Sequence, residues 1–253
     1  MKPARSCNFR HLLPLGLLAA GVAGWLSISL ADESAKQGLD QEQSVNPGIN
    51  SKFLDPKIDI KEWIGRFEVE SREVAHERNA IVEALKIKPG MALADIGAGT
   101  GLFLEPFAKG VGAEGKVFAV DISDGFVEGL KKRVAKNGFT QVEVVRCAED
   151  SVSLKPDTVD LAFVCDTYHH FEYPAATLKS IYQALRPGGR LVVIDFERIP
   201  GVSRDWILGH VRAGKEEFTA EIVGAGFAPP KEIKLEGFKE NYFLVFTKPK
   251  SDD

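Results

Sequence analysis

From residue 91 onward, short apolar runs alternate with stretches in which apolar residues return every three or four positions. MALADIG (91–97), KVFAVDI (116–122), VEVVRCA (142–148), TVDLAFVCDT (158–167) and RLVVIDF (190–196) have the length and near-continuous apolarity of buried strands. Between and after them, Leu102, Phe103, Phe107 and Ala108, then Phe126, Leu130 and Val134, then Leu178, Ile181, Tyr182 and Leu185, then Phe218, Ile222 and Val223, repeat at helical spacing. Asn137-Gly138 and Pro187-Gly188-Gly189 close two of these helices. Two last runs, 231–237 and 241–248, lie only a few residues apart and predict an antiparallel hairpin. Strands alternating with helices predict an α/β fold, a mostly parallel sheet covered on both faces. Strands that lack a polar side agree with that burial.

Upstream, Asp59 reads as an N-cap with Glu62 three residues on, followed by Trp63, Ile64 and Phe67, then Ile81, Val82 and Leu85. One or two helices are therefore expected over 60–86. The domain expected is 58–250, with no internal repeat. Residues 32–57 are polar, carry Pro and Gly and lack apolar periodicity, so they are expected to be a tether with little structure of their own.

Residues 1–31 form a separate segment. Lys2, Arg5 and Arg10 precede an uncharged run from Leu12 to Ala31, and Asp32 and Glu33 follow it. A signal peptide cleaved after Ala31 is expected. An uncleaved N-terminal membrane anchor is the alternative, which would give membrane association. The charge asymmetry places the remainder outside the cytoplasm in either case, so an exported, periplasmic or envelope-associated protein is expected. Cys147 and Cys165 both fall in strands and read as small buried residues, not a disulfide framework. The formal net charge of -4, with no basic stripe carrying aromatics, argues against a nucleic-acid partner.

The candidate chemistry begins at ADIGAGTG (94–101). Gly97, Gly99 and Gly101 follow the first strand and precede a helix, where bare backbone lets a ligand approach. A dinucleotide site asks for G-x-G-x-x-G or A, and here Leu102 stands at the last position. The acid Asp95 also matches a pyrophosphate poorly. Asp121 ends the second strand, where a carboxylate can accept from two vicinal ribose hydroxyls. Glu149 and Asp150 follow the third strand, placed for an exocyclic adenine amine, and Asp166 follows the fourth.

ADIGAGTG, VDIS (120–123), CAED (147–150), DTYHHF (166–171) and LRPGGRLVVIDF (185–196), in this order, resemble the class I S-adenosylmethionine-dependent methyltransferases, in the branch acting on small molecules and quinones. The resemblance covers about 75–248. It implies a Rossmann-like, seven-stranded mostly parallel sheet ending in an antiparallel hairpin, with S-adenosyl-L-methionine as cofactor. Carried over, Asp95 and the backbone of Gly97, Ala98, Gly99 and Gly101 face the methionine part. Asp121 holds the ribose and Ile122 packs on the adenine. Glu149 or Asp150 reaches its amine, with Asp150 preferred. Asp166 lines the donor side or caps its strand.

The expected reaction is methyl transfer by in-line displacement to a small-molecule or lipid-like acceptor. His169 and His170 are the candidate bases, with Tyr168 and Phe171 as an aromatic wall. Arg72, Glu73 and Arg78 are candidates for a lid, and His210 and Arg212 for the acceptor side. No metal-ligand spacing is present, so no metal is expected. Because the donor is made in the cytoplasm, an exported non-catalytic nucleoside- or S-adenosylmethionine-binding module of the same fold is the alternative function.

Overall fold

Five successive buried residues, Ala92–Ile96, make strand β1, and their side chains divide between two cores. Ala92, Ala94 and Ile96 enter one cluster and Leu93 the other, as the period-two alternation of a strand requires. In a computed structural model, which describes residues 42–69 and 72–250, β1 pairs in parallel with β2 (Lys116–Asp121) and with β4 (Val159–Cys165). Strand β3 (Val142–Arg146) adds outside β2, and β5 (Leu185–Phe196) outside β4. Then β7 (Asn241–Thr247) runs antiparallel to β5, and the two-residue β6 (Lys231–Glu232) antiparallel to β7. The seven-stranded order is β3-β2-β1-β4-β5-β7-β6. The expected sheet and hairpin are thus present, the hairpin with a shorter first strand than 231–237.

Three short helices replace the one or two expected over 60–86: α1 (Ile60–Phe67), α2 (Glu73–His76) and α3 (Arg78–Leu85). Asp59 caps α1, accepting the N–H groups of Lys61 and Glu62. The connections carry α4 (Leu104–Val111), α5 (Asp124–Asn137), α6 (Pro174–Ala184), α7 (Asp205–His210) and α8 (Lys215–Gly224). Phe107 of α4 and Leu93 of β1 are fully buried on one face, and Ile181 of α6 and Phe218 of α8 are buried on the other. Each such side chain contributes roughly 1.5–3 kcal/mol by leaving water. Among the described residues no helix is long and apolar enough to cross a membrane. The signal or anchor expected over 1–31 lies outside the described residues.

The tether expectation fails where the chain is described. Residues 42–57 form successive turns laid on the domain. Ser44 Oγ donates to Glu172 (2.7 Å), and the Val45 N–H to the Glu172 carbonyl (2.9 Å). Buried Asn50 donates to the His170 carbonyl (3.0 Å), and Ser123 Oγ to the Phe53 carbonyl (2.6 Å). The Glu42 carboxylate accepts the N–H groups of Ala175 and Ala176 in the first turn of α6, where four amides lack helical partners. A polar strap is therefore held by polar partners that its own sequence does not display.

Candidate active site

Strand order runs β1, β2, β3 in one direction and β4, β5 in the other. The crossovers therefore diverge between β1 and β4 and leave a crevice beyond their carboxyl ends, where ligands bind in such sheets. A cavity of about 920 Å³ opens there, near the upper end of the range typical of ligand sites.

The glycine turn forms one wall. The Gly97 and Ala98 N–H groups donate to the Val120 carbonyl (2.8 and 3.0 Å), tying the turn to β2. Gly97 has φ +72, and a Cβ there would run into Thr167, so only glycine lets this turn and the loop after β4 close together. Gly97, Ala98 and Gly99 line the cavity; Gly101 does not. It packs under α5, where a Cβ would stand 3.0 Å from Leu130 Cδ2, so the expectation that Gly101 faces the ligand is corrected to a packing role.

Two buried carboxylates stand behind the turn. Asp121 Oδ2 accepts the Gly99 N–H and Oδ1 the Ser123 N–H, both at 2.8 Å. Each oxygen keeps a second lone pair, enough for two hydroxyls. Burial pushes Asp121 up to about 6, against the backbone amides that lower it. Asp95 is pushed up to about 7 by burial and by the Asp121 charge. Its Oδ2 is buried with no hydrogen-bond partner. Such an oxygen needs a donor, and a cationic ligand supplies charge as well. On the next wall Ile122, Cys147 and Val152 are apolar, and Glu149 lines the cavity while exposed Asp150 does not. Both acids are exposed, and the preference for Asp150 is corrected to Glu149 because only Glu149 lines the cavity.

Asp166 sits at the far side with φ +47, a left-handed conformation that Asp tolerates better than most residues. Its carboxylate pairs with Arg72 and accepts from Asn241 Nδ2 (2.8 Å). Burial raises its pKa to about 6, with Arg72 opposing. Glu73 also lines the cavity, and its carboxylate accepts the N–H groups of Lys239, Glu240 and Asn241. Arg72 and Glu73 thus join the start of β7 to the site, whereas Arg78 is not part of the cavity wall.

The histidine turn, Tyr168–His170, follows β4. Tyr168 points away from the cavity: fully buried, it packs on Phe171 and Phe218 and donates to Glu221 (2.8 Å). Its expected catalytic role is corrected to a core residue, and burial pushes its phenol well above the ordinary range. Arg212 also belongs to that layer, paired with Glu221 and stacked on Phe218. His169 and His170 do line the cavity. His169 Nδ1 lies 2.8 Å from Asp195 Oδ1, and the backbone N–H of His169 donates to Asp195 Oδ2 (3.1 Å). His170 is held neutral, its pKa pushed down to about 2 by burial and the neighbouring His169 and His210. That makes it a poor proton acceptor, so its expected role as base is corrected. His210, from the end of α7, reaches the same wall, its Nε2 3.4 Å from that of His170.

Spacing did not reveal this cluster, since His210 is forty residues from His170. Nor did it reveal the aromatic group of Phe53, Trp63, Phe67 and Phe126 that lines the cavity, with ring centroids 4.9–6.4 Å apart. Phe53 comes from the strap and Phe126 from α5, so only the fold unites them.

Residues 94–193 match the family described as "Methyltransferase domain". The chain is 29% identical over 113 residues to the ubiquinone/menaquinone biosynthesis C-methyltransferase UbiE of Marinomonas sp. (strain MWYL1), covering 44% of this chain and 45% of that protein. It is 30% identical over 124 residues to the UbiE of Hydrogenovibrio crunogenus, covering 49% and 48%. The chain thus spans about half the length of the curated relatives it matches. A solved S-adenosylmethionine-dependent methyltransferase from Aquifex aeolicus superposes with a TM-score of 0.66 at 25% identity, over 76% of this chain and 100% of that one.

Proposed function

The chain carries a class I S-adenosylmethionine-dependent methyltransferase domain, and on that premise we propose that the protein transfers a methyl group by in-line displacement to a small-molecule or lipid-like acceptor. The observation that carries this reading is the pair of buried carboxylates, Asp95 and Asp121, behind a glycine turn in the cavity, one of them with an oxygen lacking any partner. Bound there, the donor supplies an electrophilic methyl group on a cationic sulfonium.

The chain's own residues do the rest. Asp95 holds the ammonium end, and Asp121 accepts from the ribose hydroxyls while the Gly99 amide keeps it oriented. Ile122 packs against the adenine and Glu149 accepts from its amine. Phe53, Trp63, Phe67 and Phe126 exclude water from the reacting pair. Fixing two partners in line can contribute about 7–11 kcal/mol. His169, oriented by Asp195, accepts a proton at Nε2 when the acceptor has one to lose. The printed names of the relatives, C-methyltransferases of quinone biosynthesis, support a flat, partly apolar acceptor. The basic residues ahead of the apolar run at 12–31 support a site of action outside the cytoplasm, which mass spectrometry of the mature N-terminus tests.

Calorimetry of the full chain with S-adenosylmethionine tests the main reading. Saturable binding that Asp121→Ala weakens strongly is expected. No heat at millimolar donor removes it.

A further inference from the structure

We propose that His169, His170 and His210 form a binding site for a divalent transition metal of the zinc type, with a remaining coordination position open to the acceptor end of the cavity. Three of the five histidines in the chain converge there. One ring nitrogen from each lies within 4.8 Å of the other two. The rings sit 4.3, 5.1 and 5.1 Å apart between centroids at mutual angles of 44 to 74°, so they splay around a common point and do not stack. Nε2 of His210 and Nε2 of His170 are 3.4 Å apart; bonds of ~2.0–2.1 Å around a tetrahedral ion set neighbouring nitrogens roughly 3.3–3.4 Å apart. The third nitrogen needs a small inward shift to meet them.

The surroundings suit a ligand set. Asp195, fully buried, takes Nδ1 of His169 at 2.8 Å, which leaves Nε2 as that ring's nitrogen for a metal. This is the carboxylate–histidine arrangement that orients metal ligands and raises their basicity. Asp195 is itself held by the N–H groups of His169 and Phe196. Trp206 stacks on His210 at 4.8 Å and Phe53 meets His170 edge-on at 5.2 Å, limiting how far either ring turns. A hydrogen-bonded imidazole cluster, with His210 Nε2 and His170 Nε2 3.4 Å apart, is the competing reading, and stoichiometric metal uptake separates the two. An all-imidazole set selects zinc, copper, nickel or cobalt over magnesium or calcium.

The consequence for the acceptor rests on the methyltransferase reading, although metal binding does not. An ion here takes an oxygen donor of the acceptor, a phenol or other hydroxyl, and lowers its pKa by Lewis acidity. With the ion bound, His169 is a ligand and the proton of the coordinated hydroxyl passes to solvent water; the base role of His169 belongs to the metal-free protein. The acceptor class is accordingly one bearing a hydroxyl at or next to the methylated atom.

The test is a cobalt(II) titration of the full-length, untagged, chelator-stripped protein, read by visible absorption and by metal analysis after desalting. One equivalent with the intense bands of four-coordinate cobalt, displaced by zinc, is expected. His210→Ala should weaken binding about tenfold or more, and Asp195→Asn about 10–100-fold. His76→Ala, at an exposed histidine, should leave it unchanged. Circular dichroism and donor calorimetry on the same samples check the fold and separate the two readings. Cobalt uptake without donor binding removes the methyltransferase reading and keeps the site. Donor binding with no stoichiometric cobalt, or His210→Ala binding cobalt like the parent, overturns the site.

Discussion

Replacing Asp95 by Asn should stabilise the free protein and impair it as a binder. The Asp95 carboxyl is 4% exposed, has an oxygen without a partner and is pushed from 3.8 up to about 7 by burial and by Asp121. At 1.36 kcal/mol per pH unit, that displacement corresponds to roughly 4 kcal/mol. The folded state holds this proton more tightly than the unfolded chain, so between pH 3.8 and about 7 the folded form binds more protons and stability falls as pH rises. Below that window the carboxyl is neutral in both states and costs nothing; above it the cost is fully present. Asn keeps the shape and cannot ionise. Asp95→Asn should therefore match the parent near pH 4 and exceed it by ~2–4 kcal/mol at pH 8 in urea unfolding. The ionised carboxylate is what a cationic ligand meets, so the parent's affinity for S-adenosylmethionine should rise with pH through about 7. Asp95→Asn should lose that dependence and bind about 10–100-fold more weakly, the worth of one charge-assisted hydrogen bond. A stability gap that does not change with pH, or a variant that binds the donor as tightly as the parent, refutes the reasoning.

Three further outcomes follow from the same geometry. Gly97→Ala should destabilise the fold by about 2 kcal/mol or more, seen as a lowered melting temperature, because φ +72 and the Thr167 side chain both oppose a Cβ. Cys147, its thiol pushed up to about 12 by burial, and Cys165, raised well above the ordinary range for the same reason, should alkylate slowly at pH 8 until denaturant is added; labelling of the folded protein as fast as of the unfolded chain, mapped by peptide mass, contradicts the raised thiol pKa. Glu172→Ala removes the acceptor of Ser44 and Gly48 and should open the strap, costing roughly 1–3 kcal/mol and speeding protease cleavage within 42–57.

The strands and much of the cavity lining were legible because they are local. An apolar run of five to seven residues is a buried strand almost wherever it sits, and the acid or glycine directly after it inherits a place at the sheet's carboxyl edge. Asp95, Gly97, Ala98, Gly99, Asp121, Ile122, Glu149 and Asp166 all line the cavity for that reason. The errors lie where direction, not position, decides. Tyr168 and His169 are neighbours in a single 3₁₀ turn, yet one enters the core and the other the cavity. Of the exposed pair Glu149 and Asp150, only the first lines the cavity.

Read alone, the order of residues determined the alternation of elements, and with it the sheet and the edge at which a ligand sits, since each follows from hydrophobic period and chain connectivity. The tertiary structure decided what meets across that edge. It brought the strap from residue 42 onward onto the loop after β4, set Arg72 and Asn241 on Asp166, and gathered three histidines from the ends of two elements. Such contacts join segments tens of residues apart, and their partners are fixed by packing between elements, which no local pattern of residues encodes.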